Sequence, residues 1–243
     1  MVEGLYSAAA GMSAQQEQLD AISNDLANVN TTGYKAERVS FNDLLYNNVK
    51  LAGTESSAGA GANSEILGRS ESQGALRETG DPLDLAIEGS GYFQVTLPSG
   101  QTALTRDGSL AVDASGTLVT AAGDRMSPAI KLPAGLSPSD LRIAADGTVT
   151  AGARTLGKIA LVTVTAPDRL TSLGGDLLAT SADSGEAHPA RGARIHQGAL
   201  EQSNVDMGTE MSNMVTTQRA FQMDSSAIQT ESQMMTIANE LKP

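Results

Sequence analysis

Cysteine and tryptophan are both absent from this 243-residue chain, and aromatic side chains make up only 3% of it. Without cysteine there is no disulfide staple and no thiolate metal site, and the chain could enter an oxidising compartment without mispairing. Scarce aromatics beside abundant Ala, Ser, Thr and Gly leave few large anchors, so cores are expected to be thin and helped by burial in a partner. Basic charge is short as well. The 16 Lys and Arg face 28 Asp and Glu, a formal charge of −12, which argues against nucleic acid because phosphate binding needs a basic patch. No long apolar run exists: the stretch around Ile159 to Val164 falls far short of the roughly 20 residues of a membrane helix, so no membrane insertion is expected. The opening MVEGLYSAAAGMSAQQEQL has no basic n-region and no unbroken apolar h-region, so no cleaved Sec signal is legible and any export would need a dedicated exporter.

What is present lies first at the two ends. Leu5, Ala8, Met12, Gln15, Leu19, Ile22, Leu26 and Val29 alternate by three and four, a heptad seam with one polar member. The predicted helix is about 25 residues long and stops where Asn28, Asn30 and Thr31-Thr32-Gly33 supply turn chemistry, with Gly33 free to take positive φ. At the other end Asp206 reads as an N-cap and Glu210 adds negative charge near the positive end of the helix dipole. Met207, Met214, Phe221, Ile228 and Met235 then recur every seven residues, flanked by Ala220, Ala227, Met234 and Leu241, in a helix of about 35 residues. A methionine stripe at this spacing is ordinary core packing when it stands alone. Two narrow seams at opposite ends of one chain are built to meet each other or copies of themselves.

Between them the pattern is β. Short Thr-, Val- and Leu-rich runs are expected as strands at Tyr92 to Leu97, Leu104 to Arg106, Leu110 to Val112, Thr117 to Thr120, Leu141 to Ile143, Thr148 to Ala151 and Lys158 to Val164, separated by turn sequences such as Asp107-Gly108 and Asp146-Gly147. Leu51 to Asn63 and Ser181 to Arg191 read as flexible connections. The fold class is therefore α+β: long N- and C-terminal helices forming a coiled-coil-like module around a central, mainly antiparallel β domain. The expected divisions are 1–46 (helical, pairing with the C-terminal helix), 47–82 (extended linker), 83–200 (β domain) and 201–243 (C-terminal helical module).

Catalytic-looking fragments have plainer readings. Gly89-Ser90-Gly91-Tyr92 is followed by strand and not helix, so it reads as a turn and not as a dinucleotide loop. The aspartate turns lack calcium-loop spacing, and His188 and His196, eight apart with no paired Glu or Cys, are not expected to bind metal. No catalytic residue, cofactor or metal is expected.

The run Asn24-Asp25-Leu26-Ala27-Asn28-Val29-Asn30-Thr31-Thr32-Gly33-Tyr34-Lys35, then Phe41 and Leu44-Leu45-Tyr46, resembles the signature of flagellar rod and hook proteins. Asp84 to Phe93 with Thr105-Arg106-Asp107-Gly108 is similar to that family's β domain, and Leu200-Glu201-Gln202-Ser203-Asn204-Val205 through Gln218-Arg219-Ala220-Phe221 to Gln233-Met234-Met235 resembles its C-terminal module. Within the family the ends look most like the distal-rod type, with the proximal-rod type as nearest rival and a hook-type axial protein behind it; the 47–82 segment looks short for a distal-rod subunit. The resemblance marks Asn28, Asn30, Gly33, Tyr34, Ser203, Asn204, Val205, Gln218 and Arg219 as signature residues. It implies a helical homo-polymer spanning the periplasm that joins neighbouring rod and hook proteins, passes through the flagellar type III export apparatus and transmits motor torque. Leu5, Met12, Leu19, Ile22, Leu26, Val29, Met207, Met214, Phe221, Ile228 and Met235 would then line the assembly interface. A monomeric secreted binding module, with terminal segments ordered on their own, and a hydrolase, with a convergent nucleophile and base, are the competing classes.

Overall fold

A computed structural model describes residues 2–43, 47–51, 54–58, 61–133 and 135–240. Leu44, Leu45, Tyr46, Gly53, Leu241 and Pro243 lie outside the described residues. The chain is α+β and forms two compact units, each discontinuous in sequence: residues 1–27, 37–67 and 206–243, and residues 28–36 with 68–205. Helical ends and β middle thus do not divide as four consecutive segments.

The first unit is built on two helices, α1 (Val2–Ala27) and α2 (Met207–Glu240), which pack against each other. On α1 Ala14, Ala21, Ile22 and Asp25 are buried, and of the predicted seam Ile22 alone is among them; Leu5, Ala8, Met12, Gln15, Leu19 and Leu26 are half-buried. Val29 is not on this seam, because the helix ends at Ala27 and Thr31 N–H donates to the Asn28 carbonyl at 3.0 Å, closing a turn instead. On α2 Met214, Phe221, Ile228 and Met235 are half-buried at heptad spacing, while Met207, in the first turn, is exposed. Asp206 caps α2 as expected. Its Oδ1 accepts the Thr209 N–H at 2.7 Å, and the carboxyl is held below its ordinary value first by that backbone bond.

Residues 47–82 contain strands where an extended linker was expected. Asn47–Leu51 pairs with Thr54–Ala58, Ala62–Arg69 with Glu37–Asp43, and Leu76–Glu78 with Ala199–Glu201. Backbone N–H and C=O groups in a polar segment still need partners, and a hairpin supplies them without an apolar run.

Every strand pairing described in the second unit is antiparallel. Its largest sheet runs Thr171–Gly174, Leu177–Ala179, Thr102–Thr105, Tyr92–Thr96, Arg125–Met126, Leu118–Thr120, Leu110–Val112, with Leu161–Thr163 also bonded to Tyr92–Thr96. Strand alternation divides its side chains between two apolar clusters. Phe93, Val95 and Ala103 enter the main core with Leu85, Ile87 and Leu118, whereas Tyr92 and Leu104 join Val162, Val164 and Leu178. Each large aliphatic or Phe side chain buried this way contributes roughly 1.5–3 kcal/mol, so a core nearly without aromatics is assembled from many β-branched and Leu residues. The predicted strand from Lys158 to Val164 is broken in two: Arg154–Lys158 closes a hairpin and Leu161–Thr163 joins the large sheet. Between them Ile159 is buried and its N–H turns to the Gly147 carbonyl at 2.8 Å. Ser181 to Arg191 is likewise structured, with Ser184 fully buried and bonded to Ser181, and His188–Pro189 paired in the sheet.

Candidate functional site

Within the second unit the chain's two signature segments meet around one carboxylate. Glu201, 1% exposed, ends a short strand, and its Oε1 accepts from Lys35 Nζ at 2.6 Å and from the Gly74 N–H at 2.9 Å. Its Oε2 accepts from Arg106 Nη1 at 3.0 Å, and its backbone carbonyl accepts from the Gly33 N–H at 2.8 Å. Arg106 also donates from Nη2 to the Gly89 carbonyl at 2.9 Å and lies over the Tyr92 ring at 5.3 Å. Residues 166 and 95 positions apart from Glu201 are thereby fixed to it. Burial pushes the Lys35 ammonium below its ordinary value, opposed by the bond and charge of Glu201, and burial pushes the Tyr92 phenol up.

Local conformation makes this meeting feasible. Gly33 adopts φ +72°, and a Cβ there would stand 2.7 Å from the Arg106 carbonyl carbon, so the tight approach excludes other residues. Tyr34, 3% exposed, carries Arg69 over its ring at 5.6 Å. Asn204 acts as a bracket. Its Oδ1 accepts the Ala36 N–H at 2.8 Å while Nδ2 donates to the Ser72 carbonyl at 2.9 Å, tying both ends of the unit together. Ser203 Oγ accepts the Val205 N–H at 3.3 Å, and Asn28 Oδ1 accepts from the Thr31 hydroxyl at 3.1 Å. Asn30 is an exposed turn residue. Of the predicted signature residues, Gly33, Tyr34 and Asn204 therefore sit in one network; Gln218 and Arg219 lie exposed on α2 in the other unit. Glu201, Lys35 and Arg106 were in the recognised runs but not singled out, since a charged residue next to a turn is ordinarily solvated and nothing local reveals a partner so distant.

The second candidate surface is on α2. Met207, Met211, Val215, Met223, Met234 and Ile237 are 47–66% exposed, although large apolar side chains on a packed helix ordinarily turn inward. Met207 and Met234 fall among the heptad-spaced positions read from the sequence; Met211, Val215, Met223 and Ile237 do not. Among the described residues no group of His, Cys, Asp or Glu could hold a metal ion, and no helix is long and apolar enough to cross a membrane. His196 bonds to Glu88 at 2.8 Å at the surface, a pair that holds the Glu88 carboxyl low.

These two features define a structural subunit: a β body whose N- and C-terminal connections are locked by a buried ion cluster, with a helix pair bearing uncovered apolar side chains. Three family models match in chain order: the flagella basal body rod protein at residues 5–35, the flagellar hook protein FlgE/F/G D1 domain at 86–151, and the flagellar basal body rod FlgEFG protein C-terminal region at 196–241. The flagellar basal-body rod protein FlgG of Borreliella burgdorferi is 37% identical over 263 residues, covering 100% of this chain and 99% of that protein. FlgG of Caulobacter vibrioides is 35% identical over 263 residues, covering 99% and 100%, and FlgG of Bacillus subtilis 36% over 260, covering 97% of each. FlgF of Mesorhizobium japonicum is 30% identical over 224 residues, covering 91% and 90%. The chain belongs to the flagellar basal-body rod protein family, and it is a structural subunit, not an enzyme.

Proposed function

We propose that this chain is a distal-type rod subunit that polymerises helically with copies of itself, meets neighbouring rod and hook proteins at the ends of that polymer, and carries motor torque to the hook. The observation that carries this reading is the outward apolar set on α2. Those six side chains keep 47–66% of their surface in water, and about 0.7–2 kcal/mol each is available if a neighbouring copy covers that remainder. The heptad positions Leu5, Met12, Leu19, Ile22 and Leu26 with Met214, Phe221, Ile228 and Met235 then hold α1 to α2 as a coiled-coil-like pair, while Met207 and the outward set meet other subunits. Delivery is through the flagellar type III export apparatus to a rod that spans the periplasm. Distal identity is supported by full-length FlgG relatives; the FlgF relative favours a proximal-rod subunit as the second reading.

The test is a pair of substitutions, Met211→Asp and Val215→Asp. A carboxylate without a partner in a contact between copies costs several kcal/mol per subunit, repeated at every copy. Both variants should keep wild-type helix content by circular dichroism yet leave cells without rods and non-motile. Wild-type motility with either variant would remove α2's outward face from the assembly.

A further inference from the structure

With no cysteine in the chain, its nine methionines are the readily oxidised sulfur it carries. They are not equally shielded. Met126 is 1% exposed in the β core, whereas Met207, Met211, Met223 and Met234 on α2 are 47, 54, 66 and 53% exposed. These four make up most of α2's exposed large apolar side chains, beside Val215 and Ile237. Thioethers thus make up four of the six exposed large apolar side chains described on α2.

We propose that these four methionines are oxidation sites, and that their conversion to sulfoxide keeps an unassembled subunit out of the polymer. The inference rests on the reading of α2's outward face as a contact between copies. The thioether sulfur attacks one oxygen of a hydroperoxide; the O–O bond breaks, an S=O bond forms, and the proton on the transferred oxygen passes to the departing oxygen. Sulfur loses two electrons and the hydroperoxide is reduced to water or an alcohol. No neighbouring base is required, so exposure sets which sulfurs react. The product places a polar, chiral S=O on a side chain whose value at a contact is its soft apolar surface. Four such groups make most of α2's exposed large apolar side chains polar without touching the β core. Because a contact between copies would cover the same sulfurs, the modification acts on subunits before assembly and spares those already in place. Reductases specific for the two sulfoxide epimers would return the subunit to an assembly-competent form.

The test treats the purified full chain with hydrogen peroxide, locates added oxygen by peptide mass spectrometry, and follows self-association by sedimentation before and after incubation with both reductases. Met207, Met211, Met223 and Met234 should oxidise about tenfold or more faster than Met126. Association should fall with their oxidation and return on reduction. A variant with all four changed to Leu should associate in the presence or absence of peroxide. Equal reactivity of Met126, undiminished association of the oxidised chain, or persisting peroxide sensitivity in the leucine variant would each overturn the proposal. If Met211→Asp abolishes association while the sulfoxide form associates normally, the oxidation switch alone fails; if Met211→Asp also associates normally, or the untreated chain does not associate, the contact-face reading fails with it.

Discussion

Replacing Glu201 by Gln should cost the second unit several kcal/mol. The substituted amide retains one oxygen for the Gly74 N–H or a cation, but the negative charge is lost from between Lys35 and Arg106, whose polar atoms lie 2.6 and 3.0 Å from the carboxylate. Both cations are buried, at 5% and 7% exposure, and Arg106 Nε already has no hydrogen-bond partner. Removing one member of a buried ion pair costs about 3–5 kcal/mol, chiefly because the charges left behind are desolvated and unpaired. At roughly 2–4 °C per kcal/mol for a unit of this size, melting should fall by about 6–20 °C. Differential scanning calorimetry of the whole chain reads this directly. The same reasoning fixes a sign for the double variant. In Glu201→Gln with Lys35→Met one stranded cation is gone, so the combined loss should be smaller than the sum of the single losses by about 0.5–3 kcal/mol. A Glu201→Gln loss below about 1 kcal/mol, or strict additivity in the cycle, would show that the cluster is solvated and does not lock the two termini.

Phe221→Asp and Leu26→Asp place a carboxylate in the half-buried helix pair, so circular dichroism should register loss of helix while the β unit melts as before and cells are non-motile; unfolding of the β unit would refute the separation. Gly33→Ala should destabilise by more than the roughly 1–2 kcal/mol of left-handed backbone strain, because its Cβ also meets the Arg106 carbonyl carbon at 2.7 Å; urea unfolding within about 0.5 kcal/mol of wild type would contradict the close approach, that being the scatter of a neutral surface change. Burial first, and the charges of Asp176 and Asp84 besides, hold the Asp107 carboxyl above its ordinary 3.8, against the pull of the Ser109 N–H. The folded state thus binds that proton more tightly than the unfolded one, and stability falls as pH rises from 3.8 through the raised value. Asp107→Asn keeps an acceptor for Ser109 and removes the charge, so at neutral pH it should melt no lower than wild type, with any gain vanishing below pH 3.8; a lower neutral Tm would contradict the assignment.

Both helices were legible because their periodicity is long and their stops are chemical: Gly33 takes positive φ and Asp206 caps, as their residue types dictate. Strands with alternating or β-branched runs between turn residues, such as Leu141–Ile143 and Thr148–Ala151, were legible as well. Leu76–Glu78 was not, since all three of its residues are exposed and its partner Ala199–Glu201 lies over a hundred positions away; only the tertiary pairing makes it a strand. Val29 continues the numerical heptad but falls past a turn closed by Asn28 and Thr31, where side-chain hydrogen bonding competes with helix. The heptad pattern marked the two helices that pack against each other. It could not show which apolar residues would be left uncovered, because Met211, Val215 and Met223 do not repeat at seven and their exposure depends on where α1 lies.

On the proposed function, this chain is built into the rod itself. Immunogold electron microscopy of purified basal bodies, with an epitope tag inserted at the exposed, open turn around Gly100, addresses it most directly. Gold along the rod shaft in the tagged, motile strain is the predicted result. Basal bodies with a complete rod and no gold, in cells that express the tagged chain, would contradict it.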